Sequence, residues 1–241
     1  MSELMLILSN TQISEGIFEM QLHGKIMQTA KPGQYINICF NSKIMAKGSN
    51  MTISQVTPHA LIVIYKVLDE DTKLLASVRC GIYIEVVGPF GDVFPTLINR
   101  TPLMVSTGVG IAPLIEVMKN VGNERMHVAV ECDTIDDIFY YAVLNRISKL
   151  HVATKDGSFG YHGTVVDMIK EMDIKFDLYY ACGSPSMLQD MSENFSNTEG
   201  YLLQRDGLVR RRKKDQVDGL YEEGKIYKSG ELKTIVNANE N

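Results

Sequence analysis

The chain of 241 residues contains no tryptophan, only seven prolines and only four cysteines. Because Cys39, Cys80, Cys132 and Cys182 are widely separated, no C-x-x-C pair or short Cys/His cluster exists. This spacing argues against a zinc site and against a disulfide framework, so we expect four separate core thiols. The five histidines have no partners at ligand spacing either, and we predict no metal site.

Long apolar runs are also missing. No segment approaches the roughly 18 uninterrupted apolar residues of a membrane-spanning helix, and Met1 to Ser9 lacks the basic start and cleavage site of a signal peptide. We therefore expect a cytoplasmic protein without a membrane partner. The formal net charge of -5 gives no reason to expect nucleic acid. The cationic run Arg210 to Lys214 is either a solvated stretch or a surface for an acidic partner.

With 45% hydrophobic and 22% charged residues, the chain has ordinary globular composition and is long enough for two modest domains. The region up to about residue 94 consists of short β-prone runs separated by turn residues, which predicts an antiparallel barrel or sandwich. One helical turn is expected over Thr72 to Ser77. The predicted strands are Ile17 to Leu22, Tyr35 to Phe40, Leu61 to Val67 and Tyr83 to Val87.

After residue 100, strand-like runs alternate with amphipathic runs of helical length, which predicts a parallel sheet covered on both faces. The expected strands are Pro102 to Ser106, Val128 to Cys132, Leu150 to Thr154 and Leu178 to Cys182. The expected helices are Ile111 to Val121, Ile138 to Leu144, Val165 to Met172 and Ser186 to Met191. We predict domains at 1–98 and 99–194, followed by a loosely packed, polar appendage at 195–241.

Three loops rich in small residues follow strands of this second region. Gly108 and Gly110 permit a tight turn before a helix, a role that glycine fills with or without a ligand. Two further loops, Asp156 to Gly160 and Cys182 to Pro185, open at the same carboxyl edge of the sheet. Main-chain N–H groups and helix N-termini at that edge can hold a pyrophosphate, so the three loops together predict a dinucleotide site.

The order of these motifs resembles the ferredoxin-NADP reductase superfamily and, within it, the electron-transfer subunit of the two-subunit, NAD-linked dihydroorotate dehydrogenase of pyrimidine synthesis. The resemblance covers about residues 1 to 192. It rests on a G-P-F-G turn (Gly88 to Gly91), a G-x-G-I-A-P-L loop (Gly108 to Leu114), an A-T-x-D-G-S-x-G loop (Ala153 to Gly160) and a C-G-x-P-x-M-L segment (Cys182 to Leu188), with further likeness at Pro32 to Tyr35, Ile64 to Val67 and Thr72 to Leu75.

The resemblance implies a six-stranded antiparallel β-barrel that carries FAD, followed by a parallel-sheet domain that carries NAD(P)H. It implies flavin contacts at Met51, Thr52, Ile53, Ser54, Ile64, Tyr65, Lys66, Asp71 and Thr72. It implies nicotinamide contacts at Gly108, Val109, Gly110, Ile111, Ala112, Asp156, Gly157, Cys182 and Gly183. Cys182 would lie near the reacting ring, or else it is a small residue at a crowded strand end. No catalytic acid or base is required, since hydride transfer is the chemistry of the cofactors.

The flavin side departs from the family pattern. Family members carry an Arg-Pro-Ile-Ser or Arg-x-Tyr-Ser segment whose arginine binds the cofactor phosphates, whereas this chain has Met51-Thr52-Ile53-Ser54, with no cation upstream nearer than Lys47. A charged hydrogen bond contributes about 1.5 to 3 kcal/mol, which corresponds to about ten- to hundredfold in affinity. Asp69-Glu70-Asp71 also precedes Thr72 where the family favours glycine, and carboxylates repel a pyrophosphate.

The C-terminal region departs as well. The resembling subunit ends in a domain whose cysteines, spaced C-x4-C-x2-C with one more distant, ligate a 2Fe-2S cluster. In this chain Gln204, Val209, Arg212 and Tyr227 lie near those positions, and none of them can replace a thiolate on iron. We therefore predict that the chain holds no iron-sulfur cluster.

Two functional hypotheses follow. The first is a flavin-dependent electron-transfer subunit that passes electrons between NAD(P)H and a partner, either a catalytic subunit or a second copy of this chain. The second is a cofactor-poor paralogue that acts as a nucleotide-binding, regulatory or partner-docking subunit without redox activity. The sequence leaves the choice between NADH and NADPH open.

Overall fold

The structure is a computed structural model that describes residues 1–31, 33–39, 49–97, 99–121, 126–204 and 225–228. Its first six strands pair antiparallel and close into a barrel in the order β1-β2-β5-β4-β3-β6. The closed barrel confirms the predicted fold of the N-terminal region. The strands are β1 (Ser2–Ser14), β2 (Ile17–His23), β3 (Tyr35–Cys39), β4 (Ser49–Val56), β5 (Leu61–Lys66) and β6 (Tyr83–Phe90).

Alternation of side chains along each strand builds the barrel interior. Ile36 and Ile38 on β3 are fully buried, as is Ile53 on β4, because every second residue of a strand lies on the same face. Strand β5 is different, since five successive residues from Leu61 are buried. Ile64 on its outer face packs with residues of the second half of the molecule, so this strand is buried on both faces over Leu61 to Tyr65.

A short helix, α1 (Glu70–Ala76), lies where the sequence predicts one helical turn. Leu75 of this helix packs into the barrel core. The amide of Asn10 donates hydrogen bonds to the carbonyl oxygens of Leu75 and Val78, at 2.8 and 3.2 Å. These contacts fix α1 across the barrel beside β1.

The second half is a seven-stranded sheet in the order β10-β9-β8-β7-β11-β12-β13, parallel except for the pairing of β13 with β12. This confirms the predicted parallel sheet. The strands are β7 (Pro102–Thr107), β8 (His127–Cys132), β9 (Lys149–Thr154), β10 (Tyr161–His162), β11 (Leu178–Gly183), β12 (Glu199–Gln204) and β13 (Ile226–Lys228). The helices are α2 (Leu114–Val121), α3 (Tyr141–Ile147), α4 (Val165–Glu171) and α5 (Pro185–Asn194), with single 3-10 turns at Lys25–Gln28, Gly108–Ile111 and Ile135–Asp137.

Strand β12 is an element that the sequence analysis did not predict. Leu202 and Leu203 of this strand are fully buried on opposite faces of the sheet. Gly200 allows the ring of Tyr179 on β11 to lie close, because a Cβ at this glycine would be 2.0 Å from the ring. Residues 199–204 therefore belong to the sheet, and the boundary that we predict at residue 194 stays a prediction.

Helix α3 begins three residues later than expected. The predicted helix starts at Ile138, but Tyr140 has φ of 56° and interrupts helical geometry just before Tyr141. Phe139 is buried in the core shared by barrel and sheet. Packing of this side chain, rather than helical periodicity, decides where the helix starts.

Barrel and sheet share one apolar core. Ile17 and Ile64 of the barrel pack in the same cluster as Ile111 and Ala112 of the sheet region. The Tyr180 hydroxyl donates to the carbonyl oxygen of Pro95 at 2.7 Å and so fixes the connection from β6 to β7 to the sheet. Among the residues that the structure describes, no helix has the length and apolar character to cross a membrane.

Candidate functional site

The sheet reverses its direction of growth at β7. Strands β8 and β9 continue on one side of β7, whereas β11 and β12 lie on the other side. In open α/β sheets, ligands bind outside the carboxyl ends of the strands at such a switch point. The loops after β7 and β11 therefore meet at the position where the sequence predicts the dinucleotide.

Two glycines let these loops pack against each other. A Cβ on Gly110 would lie 2.1 Å from the carbonyl oxygen of Cys182, and one on Gly183 would lie 2.2 Å from the Thr107 hydroxyl oxygen. That hydroxyl oxygen also accepts the main-chain N–H of Ser184 at 2.9 Å. Gly110 and Gly183 thus serve close packing between β7 and β11.

Gly108 has a different environment. Its φ of +50° lies in the left-handed region, and a Cβ added to it would meet no atom within 4 Å. The space belongs to a cavity of about 200 Å³, here called the rim cavity, between the carboxyl edge of the sheet and the barrel. Its lining residues are Ile17 and Lys66 from the barrel and Thr107, Gly108, Val109, Glu131, Cys132, Asp133, Asp137, Lys155 and Ser184 from the sheet region.

Two lysines of the rim cavity are engaged with carboxylates. Lys66 of the barrel lies 2.6 Å from Asp137, across the boundary between barrel and sheet. Lys155 lies 2.9 Å from Asp133 and 3.8 Å from Glu131. The hydrogen bond from Lys155 lowers the pKa of Asp133, and the same bond raises the pKa of Lys155. Both groups are therefore charged at neutral pH.

Glu131 forms the floor of the acidic side. Its side chain is almost completely buried, and its Oε2 accepts the main-chain N–H of Val165 at 2.9 Å. The neighbouring Cys132 is also buried, and burial is the main reason that its pKa is raised to about 12. Cys132 is therefore a neutral thiol in the cavity wall and not a nucleophile.

The Asp156 loop folds back onto the end of β8. The main-chain N–H groups of Lys155 and Asp156 donate to the carbonyl oxygens of Cys132 and Asp133, at 3.1 and 3.3 Å. The Asp156 carboxylate accepts the N–H and hydroxyl of Ser158 at 3.0 and 2.6 Å, and these bonds lower its pKa. The loop thus supports the acidic side of the rim cavity from outside.

The structure places only part of the predicted nicotinamide set at the cavity. Gly108 and Val109 line it, whereas Ile111, Ala112 and Cys182 are almost completely buried in the shared core. Gly157, with φ of +74°, lies against the ring of His162. The assignment of all nine residues as nucleotide contacts stays a prediction.

On the flavin side, four of the nine predicted side chains are buried in the apolar cores. Met51 and Ile53 are buried in the barrel core, and Ile64 is buried in the shared core. Tyr65 is fully buried, its hydroxyl donates to Asn10 at 2.9 Å, and burial raises its pKa. These strands can offer a ligand their main chain, but not these four side chains.

Ser54 is hydrogen-bonded to the predicted nucleotide loop. Its side chain is fully buried, and its hydroxyl donates to the carbonyl oxygen of Ala112 at 2.9 Å. Thr52 remains half-buried on the same strand. The hydroxyl predicted to meet a flavin is therefore used to join barrel and sheet.

The predicted phosphate segment at α1 is closed by its own side chains. The Asp69 carboxylate accepts the N–H of Thr72 at 2.9 Å and its hydroxyl at 2.7 Å, which forms a capping box. Glu70 and Asp71 add negative charge in the first turn. These residues do not fit a bound diphosphate, because the helix N-terminus is already capped and its surroundings are acidic.

The predicted cluster positions are only partly described. The main chain of Gln204 ends β12 and Tyr227 lies in β13, whereas Val209, Arg212 and the run Arg210 to Lys214 lie outside the described residues. Within the described ranges, no group of three or more His, Cys, Asp or Glu side chains is arranged to hold a metal ion. The absence of an iron-sulfur cluster stays a prediction.

Sequence reasoning missed the charged lining of the rim cavity. Glu131, Asp133 and Lys155 immediately surround the ends of β8 and β9, and their position after predicted strands was the available signal. Asp137 had no such signal, because its contact with Lys66 joins residues that are 71 positions apart.

Comparison with known structures supports the fold. An NADH-dependent reduced ferredoxin-NADP oxidoreductase, studied for flavin-based electron bifurcation, superposes with a TM-score of 0.77 at 21% identity over 98% of this chain and 92% of the other. A ferredoxin-NADP+ reductase from Neisseria gonorrhoeae with bound FAD and NADP gives 0.70 at 15% identity, covering 86% and 98%. At these identities the likeness shows the fold alone.

Sequence comparison goes further, although no family model matches the chain. The dihydroorotate dehydrogenase B (NAD(+)) electron transfer subunit of Lysinibacillus sphaericus is 31% identical over 209 residues, covering 83% of this chain and 81% of that protein. The subunit of the same name from Fusobacterium nucleatum is 26% identical over 247 residues, covering 92% and 95%. With its barrel, its switch-point loops and this degree of identity, the chain belongs to the family of dihydroorotate dehydrogenase B electron-transfer subunits.

Proposed function

We propose that this protein is a flavin-dependent electron-transfer subunit that moves electrons between NAD(P)H and a partner. Membership of the family supports this function, and so does the fold shared with flavin- and nicotinamide-binding reductases. The single observation that carries the proposal is the rim cavity, which lies between barrel and sheet at the switch point. A hydride donor held there would lie against the barrel.

The protein's own contribution is to position the nicotinamide nucleotide. Gly108 supplies main chain beside open space, so a phosphate can approach its backbone without meeting a side chain. Ile17 of the barrel closes the opposite wall. We assign no proton-transfer role to Cys132, since its thiol stays neutral. Position and electrostatics are then the protein's share of the chemistry.

We further propose that the nucleotide is NADH. In dinucleotide sites, an acidic residue about 20 positions after the glycine loop meets the ribose 2′-hydroxyl, and a carboxylate there repels a 2′-phosphate. Glu131 and Asp133 occupy this position at the end of β8, and Lys155 is already paired with both. The relatives' names, which include NAD(+), agree with this choice.

The partner is proposed to be a separate catalytic subunit, because the relatives are named as electron transfer subunits. The alternative partner is a second copy of this chain. Mixing the protein with the catalytic subunit from the same source and measuring the mass of the complex by light scattering distinguishes a hetero-complex from a homodimer.

The function is tested by NADH oxidation with an artificial electron acceptor in the presence of added FAD, FMN or riboflavin. Gly108→Val should raise the KM for NADH at least tenfold, because the new side chain enters the rim cavity. Gly81→Val is the matched control, since Gly81 also has a positive φ, of +85°, and open space around its Cβ position. Equal effects of the two variants, or no NADH oxidation with any flavin, would contradict the proposal and favour a nucleotide-binding subunit without redox activity.

A further inference from the structure

We infer that this protein binds its flavin without an ion pair between a cationic side chain and the flavin phosphates. FAD, FMN and riboflavin then bind with similar affinity and exchange freely. The inference rests on the proposed flavin-dependent function and concerns which part of the flavin the protein recognises. It follows from the way in which the predicted phosphate segment, Asp69 to Thr72, is folded.

The first step is the hydrogen bonding of that segment. The Thr72 hydroxyl oxygen accepts the N–H groups of Leu68 and Asp69 at 2.9 and 3.0 Å, while the Asp69 carboxylate accepts the N–H and hydroxyl of Thr72. Thr72 is fully buried. The N–H groups of Leu68, Asp69 and Thr72 and the Thr72 hydroxyl are thus satisfied within the chain, and a phosphate would have to displace the Asp69 carboxylate to reach the donors of Thr72.

The segment Asp69 to Thr72 is also negatively charged. Asp69 occupies the helix N-terminus, and Glu70 and Asp71 follow it in the first turn. The nearest lysine in sequence on the helix, Lys73, lies 2.9 Å from Glu70. A diphosphate carries two negative charges, and each carboxylate at short range opposes its approach. The segment therefore repels the half of FAD that it would have to hold.

The cation on the predicted flavin strands, Lys66, already has an acidic partner. Among the nine predicted flavin residues the one cation is Lys66, and its Nζ lies 2.6 Å from Asp137. Its side chain is 34% exposed and that of Asp137 is 17% exposed, so the pair is shielded from solvent on most sides. Binding a phosphate at Lys66 would take the cation away from the half-buried Asp137 carboxylate, which opposes the exchange.

The test compares the dissociation constants of riboflavin, FMN and FAD by titration of flavin fluorescence on the full chain. A protein that makes one charged hydrogen bond to the phosphates favours FAD over riboflavin by about ten- to hundredfold. We expect the three values to agree within about threefold, a difference well under one such bond. We also expect gel filtration of the FAD-loaded protein to remove the flavin.

A double variant reverses the effect. Asp69→Asn with Asp71→Asn removes two charges, and asparagine keeps the N-cap because it is as good a capping residue as aspartate. FAD and FMN should then bind several-fold tighter, with riboflavin unchanged. Asp173→Asn is the control for loss of a surface carboxylate elsewhere, because it removes an exposed carboxylate just after α4, in the opposite half of the molecule.

Three results would overturn the inference: FAD binding at least tenfold tighter than riboflavin, FAD that stays bound in stoichiometric amount through gel filtration, or no binding of any flavin. The first two results would overturn the inference whichever cation binds the phosphates. This includes Lys47, which lies outside the described residues. The proposed function fails separately, if saturating riboflavin binds but supports no NADH oxidation.

Discussion

The hydroxyl of Ser54 donates a hydrogen bond to the carbonyl oxygen of Ala112, 2.9 Å away, and so joins barrel strand β4 to the loop that follows β7. Both residues are almost completely buried. About two helical turns beyond Ala112, on α2, Lys119 donates to the Gln55 side chain. The loop at the switch point is therefore positioned by the barrel as well as by its own strand.

Ser54→Ala should destabilise the protein by about 1 kcal/mol, because it removes a buried hydrogen bond, while the Ala112 carbonyl oxygen keeps the Ile115 N–H at 3.3 Å. Urea denaturation gives the free energy of unfolding of each variant. Ser77→Ala removes a similar hydroxyl-to-carbonyl bond, 2.7 Å to Leu74, at an exposed position, and should change stability by no more than about 0.5 kcal/mol. Equal losses in the two variants would contradict a special role for the bond between barrel and loop.

Gly110→Ala should separate the loop after β7 from β11. The added Cβ would lie 2.1 Å from the carbonyl oxygen of Cys182, and relief requires backbone movement at a cost of about 1 to 3 kcal/mol or more. Thermal denaturation measures the loss. Gly108→Ala, where the space is open, should cost less, about 1 to 2 kcal/mol from its left-handed backbone alone. A Gly110→Ala variant as stable as the parent would refute this packing role.

Asp133→Asn should shift nucleotide preference towards NADPH. The substitution removes a charge that repels a 2′-phosphate and frees Lys155 from its closest partner, 2.9 Å away. We expect the ratio of kcat/KM for NADPH to that for NADH to rise at least tenfold, which corresponds to about 1.4 kcal/mol. Asp173→Asn, with the same change in net charge, should leave the ratio unaltered; a comparable shift in that variant would point to net charge alone.

Stability should fall in mildly acidic solution because of two stacked histidines. His127 Nδ1 and His151 Nε2 lie 2.9 Å apart on β8 and β9, and burial, with Lys149 nearby, lowers the pKa of both. A histidine with a lowered pKa in the folded state contributes stability above the unfolded value of about 6.5. This contribution is lost as pH falls through the folded values, since the unfolded chain takes up the protons first.

Urea denaturation at about pH 7.5 and about pH 5.5 brackets this transition. His151→Gln should reduce the drop in stability between the two conditions relative to the parent. His59→Gln, at an exposed turn, should leave the drop unchanged. An equal pH dependence in the parent and the His151 variant would contradict the prediction.

Local sequence determined much of this protein. Alternating apolar residues specify barrel strands such as β3, and buried runs such as β11 specify parallel strands, because side-chain periodicity reports directly which faces are covered. Gly108, Gly110 and Gly183 mark the switch point, since only glycine allows the backbone to turn or approach so closely there. The sequence therefore determined the barrel, the parallel sheet and the glycine loops at its switch point.

Only the tertiary structure decided what surrounds that place. Lys66 pairs with Asp137, 71 positions away, and Ser54 donates a hydrogen bond to Ala112, 58 positions away. No local sequence pattern predicts such contacts. The same holds for β12, whose short run forms a strand because β11 offers it a neighbouring edge. Periodicity records whether a side chain is buried but not which partner buries it, and the partners determine the charge and shape of the site.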